Sequence, residues 1–336
     1  MRCTGPQPTI ALALPHMASH RANFSGVAIT SSCASDANTS SCLVTICSGR
    51  VVLKGSSVSG VRGIPLDTVL CVVGDSRVEV HRSSFSRNLV RPLAVFGQAH
   101  LLMNGSIISN NTVIGYGGGL RLEGRANVTI TGRSRVQGNN ASEDGGGLVA
   151  RGRVVLRVDG NSSLSGNSAG QFGGGLAAFG NVSITLTGGS SVQDNVARNM
   201  SGGGLVLWDS VECVLMGGSR VHGNRAARTG GGLLANNSTR VSVLGSSIDH
   251  NKAAKVGGGI DAWDSVHVVL DANSSVHGNS ARIGGGLYLL DNATVSLAGG
   301  SSVHGNSAEL HGGGLFVGYN ATVSLAGGSS VHGNSA

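Results

Sequence analysis

Aromatic and charged side chains are scarce in this chain, at 3% and 12% of its 336 residues. The first shortage leaves too few rings for a bulky globular core, and the second argues against a charge-swollen disordered tail. Leu, Glu, Lys and Gln are too few for long helices. No apolar run approaches the roughly 18 residues of a spanning helix, and the stretch from Thr9 to Leu14 is too short for a signal-peptide core. The basic residues behind the formal charge of +7 are spread thinly. Without a Lys/Arg-rich run there is no phosphate-binding patch, which argues against nucleic acid as a partner.

What the chain has instead is 56 Gly, together with Val, Leu, Ile and Ala, arranged with a strict period. Gly triplets begin at Gly117, Gly145, Gly173, Gly202, Gly230, Gly257, Gly284 and Gly312, at spacings of 28, 28, 29, 28, 27, 27 and 28 residues. Fixed periods of this length mean a solenoid or an array. The segment Asn292 to Ala308 recurs unchanged at Asn320 to Ala336, so the last copies arose by duplication.

Within each copy, apolar residues alternate after the triplet, as in Leu120/Leu122 and Leu315/Val317, and again at Val128/Ile130 through Val323/Leu325. A third apolar position holds Val136, Leu164, Val192, Val221, Ile248, Val276, Val303 and Val331. Period-2 alternation of this kind marks strands, here three short ones per copy. Each copy is too small to close a core alone, but stacked copies can. The fold expected is all-β: a right-handed parallel β-helix with about 28 residues per coil. Cys213 falls on an inward position and reads as packing rather than as a nucleophile.

Three residues after the third-strand position stands an invariable Asn within this chain: Asn139, Asn167, Asn195, Asn224, Asn251, Asn279, Asn306 and Asn334. Stacking places these amides above one another as a ladder. Val58, Phe85 and Ile108 extend the third-strand column upstream. Irregular coils are therefore expected over 49–109 and regular coils over 110–336, preceded by a Ser- and Cys-rich cap or linker over 1–48. Ala336 falls in mid-coil, so the stack is expected to continue past it. Cys33, Cys42, Cys47 and Cys71 cluster near the start and are candidates for a disulfide-linked cap. Of 24 Asn, 14 head an Asn-x-Ser/Thr triplet, where chance gives about four or five. Cysteines and acceptor triplets together point to an extracellular or cell-surface location.

The units Val276-His277-Gly278-Asn279-Ser280-Ala281-Arg282-Ile283-Gly284-Gly285-Gly286-Leu287-Tyr288 and Phe85-Ser86-Arg87-Asn88 resemble the Gly-Gly-Ala-Ile and Phe-x-x-Asn elements of chlamydial polymorphic outer membrane protein repeats. The resemblance covers roughly residues 85–336, with Val or Ile mostly replacing Phe and Gly-Leu mostly replacing Ala-Ile. It implies a β-helical passenger used at cell surfaces, commonly for adhesion.

Candidate sites are few. His222, His277, His304 and His332 follow the third-strand position and read as exposed polar residues, since no second ligand type accompanies them at a fixed spacing. No metal or cofactor is called for. Asp209, Asp264 and Asp291 share one column, but coil spacing would put Asp209 and Asp264 about 10 Å apart, too far for paired-carboxylate glycoside chemistry. A polysaccharide-active lyase or hydrolase on the same scaffold remains the alternative to a non-enzymatic role. Outward positions of the first strand carry an apolar stripe: Val206, Leu234, Tyr288 and Phe316 at one place, and Phe179, Trp208, Trp263 and Leu290 two residues on. Such a stripe needs a cover or a partner, whether protein, a second copy or cell-wall polysaccharide.

Overall fold

The computed structural model describes residues 10–11, 22–24, 42–62 and 67–336. Its strands form four sheets of 11, 11, 13 and 8 strands, in which each strand pairs with the equivalent strand of the next coil. Apart from Ala22–Phe24, which pairs antiparallel with Ile10–Ala11 and with Ser57–Ser59 at one end of a sheet, the pairings are parallel, as between Leu120–Gly124 and Leu148–Gly152 or Asn127–Thr131 and Val155–Val158. The chain is a parallel β-helix with the right hand expected of strand–crossover–strand connections. We call the sheets one to four in coil order, represented by Leu120–Gly124, Asn127–Thr131, Arg135–Gln137 and Asn140–Ala141. Sheet one begins at Cys42–Ile46, so the stack reaches back ahead of Gly49.

Alternation in the sequence marks three strands per coil, and sheet four adds a fourth in the regular coils. At two residues in six of its eight strands it is too short for a period of 2 to register. Inward residues of sheets one to three merge into one continuous core running from Ile46 to Val303. Sheet four contributes only small side chains such as Ala141 and Ala169, both fully buried.

Beside sheet four runs the amide ladder. Each Asn takes hydrogen bonds on Oδ1 from the backbone N–H and the Nδ2 of its predecessor: Asn195 donates both to Asn224, at 3.0 and 2.9 Å. Asn224 Nδ2 in turn donates to Val192 O and to Asn251 Oδ1, both at 3.0 Å. The ladder extends upstream through Asn88 and Asn111, giving ten consecutive members to Asn334. A second ladder, of serine, lies at the turn from sheet two to sheet three, where Ser106 N–H donates to Ser134 Oγ at 3.0 Å and Ser134 N–H to Ser162 Oγ at 3.1 Å. Its signal in the sequence is the Ser two residues before every third-strand apolar position, from Ser56 to Ser329.

Cysteines divide by environment. Cys42 is bridged to Cys71, with Cα atoms 6.0 Å apart, which ties together the first two strands of sheet one. Cys47 is also disulfide-bonded, and Cys33 lies outside the described residues. Cys213 is a free thiol in the core, pushed up to about 12 by burial.

Two measurements check this arrangement. Replacing Asn224 by Leu removes the acceptor of the Asn195 backbone N–H and of one Asn195 Nδ2 hydrogen and the side-chain donor to the Val192 carbonyl, at roughly 1–3 kcal/mol for each buried group left unpaired, so a marked fall in unfolding temperature is expected by calorimetry. Cys213 should resist iodoacetamide in the folded chain and react on denaturation; labelling at equal rates in both states would show that the thiol is not core.

Candidate interaction surface

Sheet one has two outward columns, set by its register. The first runs Val149, Ala177, Val206, Leu234, Asp261, Tyr288 and Phe316. Alternation turns these side chains away from the main core, which leaves them either covered or open to a partner. The aliphatic members are covered and so do not belong to an interaction surface. Val149, Ala177 and Val206 are fully buried and Leu234 is 3% exposed, forming a second small core of their own.

The cover is the glycine turn. The first Gly of each triplet has φ near +65°, as at Gly173 and Gly284, and folds back over the outward residue four positions on. A Cβ on Gly173 would lie 2.8 Å from Ala177 Cβ, and one on Gly284 3.0 Å from Tyr288 Cβ. Positive φ and a close approach together leave glycine as the residue that fits. Residues immediately before the triplet, Tyr116 and Phe172, pack against the same cluster. Period-2 counting identifies which face a residue takes, but not what lies over it.

The second column runs Arg151, Phe179, Trp208, Asn236 and Trp263, with Leu290 beyond. Here the glycine turn does not reach, and Phe179, Trp208, Trp263 and Leu290 are half-buried, as are Tyr288 and Phe316. Trp208 is met edge-on by Phe172 and by Trp263, each at 6.1 Å between ring centroids. Tyr288 and Phe316 stack at 5.0 Å. The Arg151 guanidinium lies 4.1 Å from the Tyr116 ring centroid and 5.3 Å from that of Phe179. Asn236, between the two tryptophans, is 3% exposed, and its Oδ1 accepts no hydrogen bond.

Immediately after the ring column the chain turns, with Asp209, Asn237, Asp264 and Asp291 at φ of 68°, 51°, 62° and 49°. Asp and Asn tolerate this left-handed region better than other residues with a Cβ. The turns stack through backbone hydrogen bonds, Ser210 N–H to Asn237 O at 3.0 Å and Ser265 N–H to Asp291 O at 2.9 Å. Asn237 Nδ2 also donates to Asp209 Oδ1 at 2.6 Å. The four polar residues are exposed. The result is a ledge of half-exposed rings edged by carboxylates and amides that repeat with the coil.

Asp261 interrupts the first column and was not singled out by the sequence reading. It is 3% exposed, and burial raises its carboxyl from 3.8 to about 7, against a hydrogen bond with Thr229. Below about pH 4 this group is protonated in folded and unfolded chains alike and has no effect on stability. Between about 4 and 7 the unfolded chain ionises while the folded one keeps its proton, so stability falls by as much as about 1.4 kcal/mol per pH unit. Above 7 the loss levels off. Replacing Asp261 by Asn should remove this decline, leaving a variant that matches the parent at pH 4 and unfolds at a higher temperature at pH 8. Parallel melting curves over that range would show Asp261 not to be the cause.

Searches with this chain against protein-family models, curated proteins and solved structures found no match, so the reading of the ledge rests on its own geometry.

Proposed function

We propose that the chain is a non-enzymatic, extracellular or cell-surface β-helix that binds cell-wall polysaccharide along the ledge of sheet one. The observation that carries this reading is the pairing, in three of four successive coils, of a half-exposed apolar side chain with an exposed oxygen-bearing one: Trp208 with Asp209, Trp263 with Asp264 and Leu290 with Asp291, the intervening coil having Asn236 and Asn237. Sugar rings present C–H faces that pack on aromatic rings and hydroxyls that donate to carboxylates, so a ligand of repeating units suits a surface of repeating pairs. Aliphatic side chains along the same face would equally have favoured a protein partner. Burial of Val206 and Leu234 takes them out of contention and leaves chiefly rings accessible. The resemblance of Phe85-Ser86-Arg87-Asn88 and the Gly-triplet units to polymorphic outer membrane protein repeats, which serve at cell surfaces, supports the same reading.

Both tryptophans of the chain lie on the ledge, which makes intrinsic fluorescence a direct reporter. Titration with solubilised cell-wall polysaccharides should shift Trp emission saturably. Replacing Trp208 and Trp263 by Ser should weaken binding at least tenfold, about 1.4 kcal/mol. Replacing Asp209, Asp264 and Asp291 by Asn keeps the turn geometry and should also weaken it, without change in unfolding temperature. Binding undiminished in both variants, or no emission change with any polysaccharide, would remove the ledge from the function.

A further inference from the structure

We propose that Asp249, His250 and His277 form a binding site for a divalent transition cation of borderline softness, such as Zn²⁺, on the outer face of sheet three. This site is on a different sheet from the ledge and does not depend on it. Sequence register places Asp249 in the same column as the histidines, in the order His222, Asp249, His277, His304 and His332. The column therefore contains the second ligand type that histidine spacing alone does not reveal. One ligand atom from each of Asp249, His250 and His277 lies within 4.8 Å of the other two.

The location within the column follows from ring orientation. His277, His304 and His332 stack face to face at 5.0 and 5.3 Å, with planes 2° and 7° apart. Parallel rings keep equivalent nitrogens about that far apart, more than two Zn–N bonds of roughly 2.0–2.1 Å can span. His250 breaks the pattern. It meets His277 edge-on, at 83° and 5.5 Å between centroids, and its Nδ1 is 3.0 Å from Asp249 Oδ2. That separation is close to the roughly 3.3 Å edge of a tetrahedral zinc polyhedron.

His250 is held where it is by the next coil. Its ring lies across Gly278, where a Cβ would fall 3.1 Å from His250 Nε2. His250 also occupies a left-handed position, φ 54°, that Gly223, Gly278 and Gly305 fill in neighbouring coils. Arg87, Asn110 and Asp194 hold the same left-handed position in other coils, so His250 is one of the side chains kept there at some backbone cost where both adjacent coils use glycine.

The remaining ligands are pre-set. Asp249 Oδ1 accepts from Arg220 Nε at 3.2 Å and Ser247 Oγ at 2.7 Å, while Oδ2 is shared by Arg220 and His250. Burial alone would raise this carboxyl, but the hydrogen bonds from Arg220, Ser247 and His250 hold it at about 2. Arg220 is 49% exposed at its side chain, so it can keep Oδ1 while a cation takes Oδ2. His277 Nδ1 is engaged by Ser275 Oγ at 3.0 Å, which leaves Nε2 as its ligand atom. Burial lowers the His277 pKa, favouring the neutral, ligating form. Three protein ligands leave a fourth position for water.

The test is isothermal titration of ZnCl₂ into the chelator-stripped full chain at neutral pH in a non-chelating buffer. One saturable ion per chain is expected. Replacing His250 by Gly restores the residue used by neighbouring coils, so it should weaken Zn²⁺ binding at least tenfold while leaving the unfolding temperature unchanged or higher. His277→Gln should weaken it similarly, and His332→Gln, two coils away, should not. Absence of saturable uptake overturns the proposal. So does uptake that survives His250→Gly, or that is lost in His332→Gln, either of which would place the ion on the stacked histidines.

Discussion

The asparagine ladder is the constraint from which the rest of the molecule follows. Each amide joins two coils by three hydrogen bonds and lies against the glycine turn of the preceding coil. The third Gly of each triplet provides that surface: a Cβ at Gly147 or Gly175 would fall 2.9 Å from the Nδ2 of Asn167 or Asn195. A ladder of full-length amides therefore requires glycine opposite it. The positive φ that folds the turn over sheet one belongs to the first Gly of the same triplet, two residues earlier. That fold buries Val149, Ala177, Val206 and Leu234 and limits the open part of the sheet to its second outward column. Ladder and ledge thus depend on the same Gly triplet, at its third and first positions respectively.

Much of this is legible in the sequence because a coil repeats the same physics each time. A period of 28 fixes stacking, alternation fixes inward faces, and stacking turns a recurring Asn into a ladder. What recurs at fixed spacing within one chain and lies in an alternating stretch can be placed without coordinates. The ladder members from Asn139 on meet both conditions; Asn88 and Asn111 stand at the same offset from Phe85 and Ile108, so the same rule reaches them although their coils are irregular.

Other features are illegible for identifiable reasons. Sheet four is two residues long in six of its eight strands, below any period. The cover over Val206 comes from a turn, and turns are read from φ, which sequence reports only indirectly through Gly, Asn and Asp. The cation site escapes because its members differ in type. Asp249 sits in a histidine column as an apparent exception, and His250 sits in a glycine column. Counting like residues passes over a constellation made of unlike ones.

The exceptions also have an energetic pattern. Asp261 buries a carboxyl among apolar side chains, and His250 takes a left-handed backbone where the adjacent coils use glycine; both lie within one turn of chain, from the end of one coil to the start of the next, together with Trp263 and Asp264. Stability in a stack is a sum of the intrinsic stability of each coil and its two interfaces. A coil that is poor by itself can be held in place only where both interfaces are complete. Here the neighbours supply them: the ladder is unbroken through Asn224, Asn251 and Asn279, at 3.0 Å on each side, and sheet two pairs Arg240–Leu244, His267–Asp271 and Thr294–Leu297 in continuous register. The same residues at an end of the stack would lose one interface and unravel the coil. A regular scaffold is thus what lets one coil carry side chains whose chemistry opposes folding, and this is where a binding function can be built into an otherwise uniform solenoid.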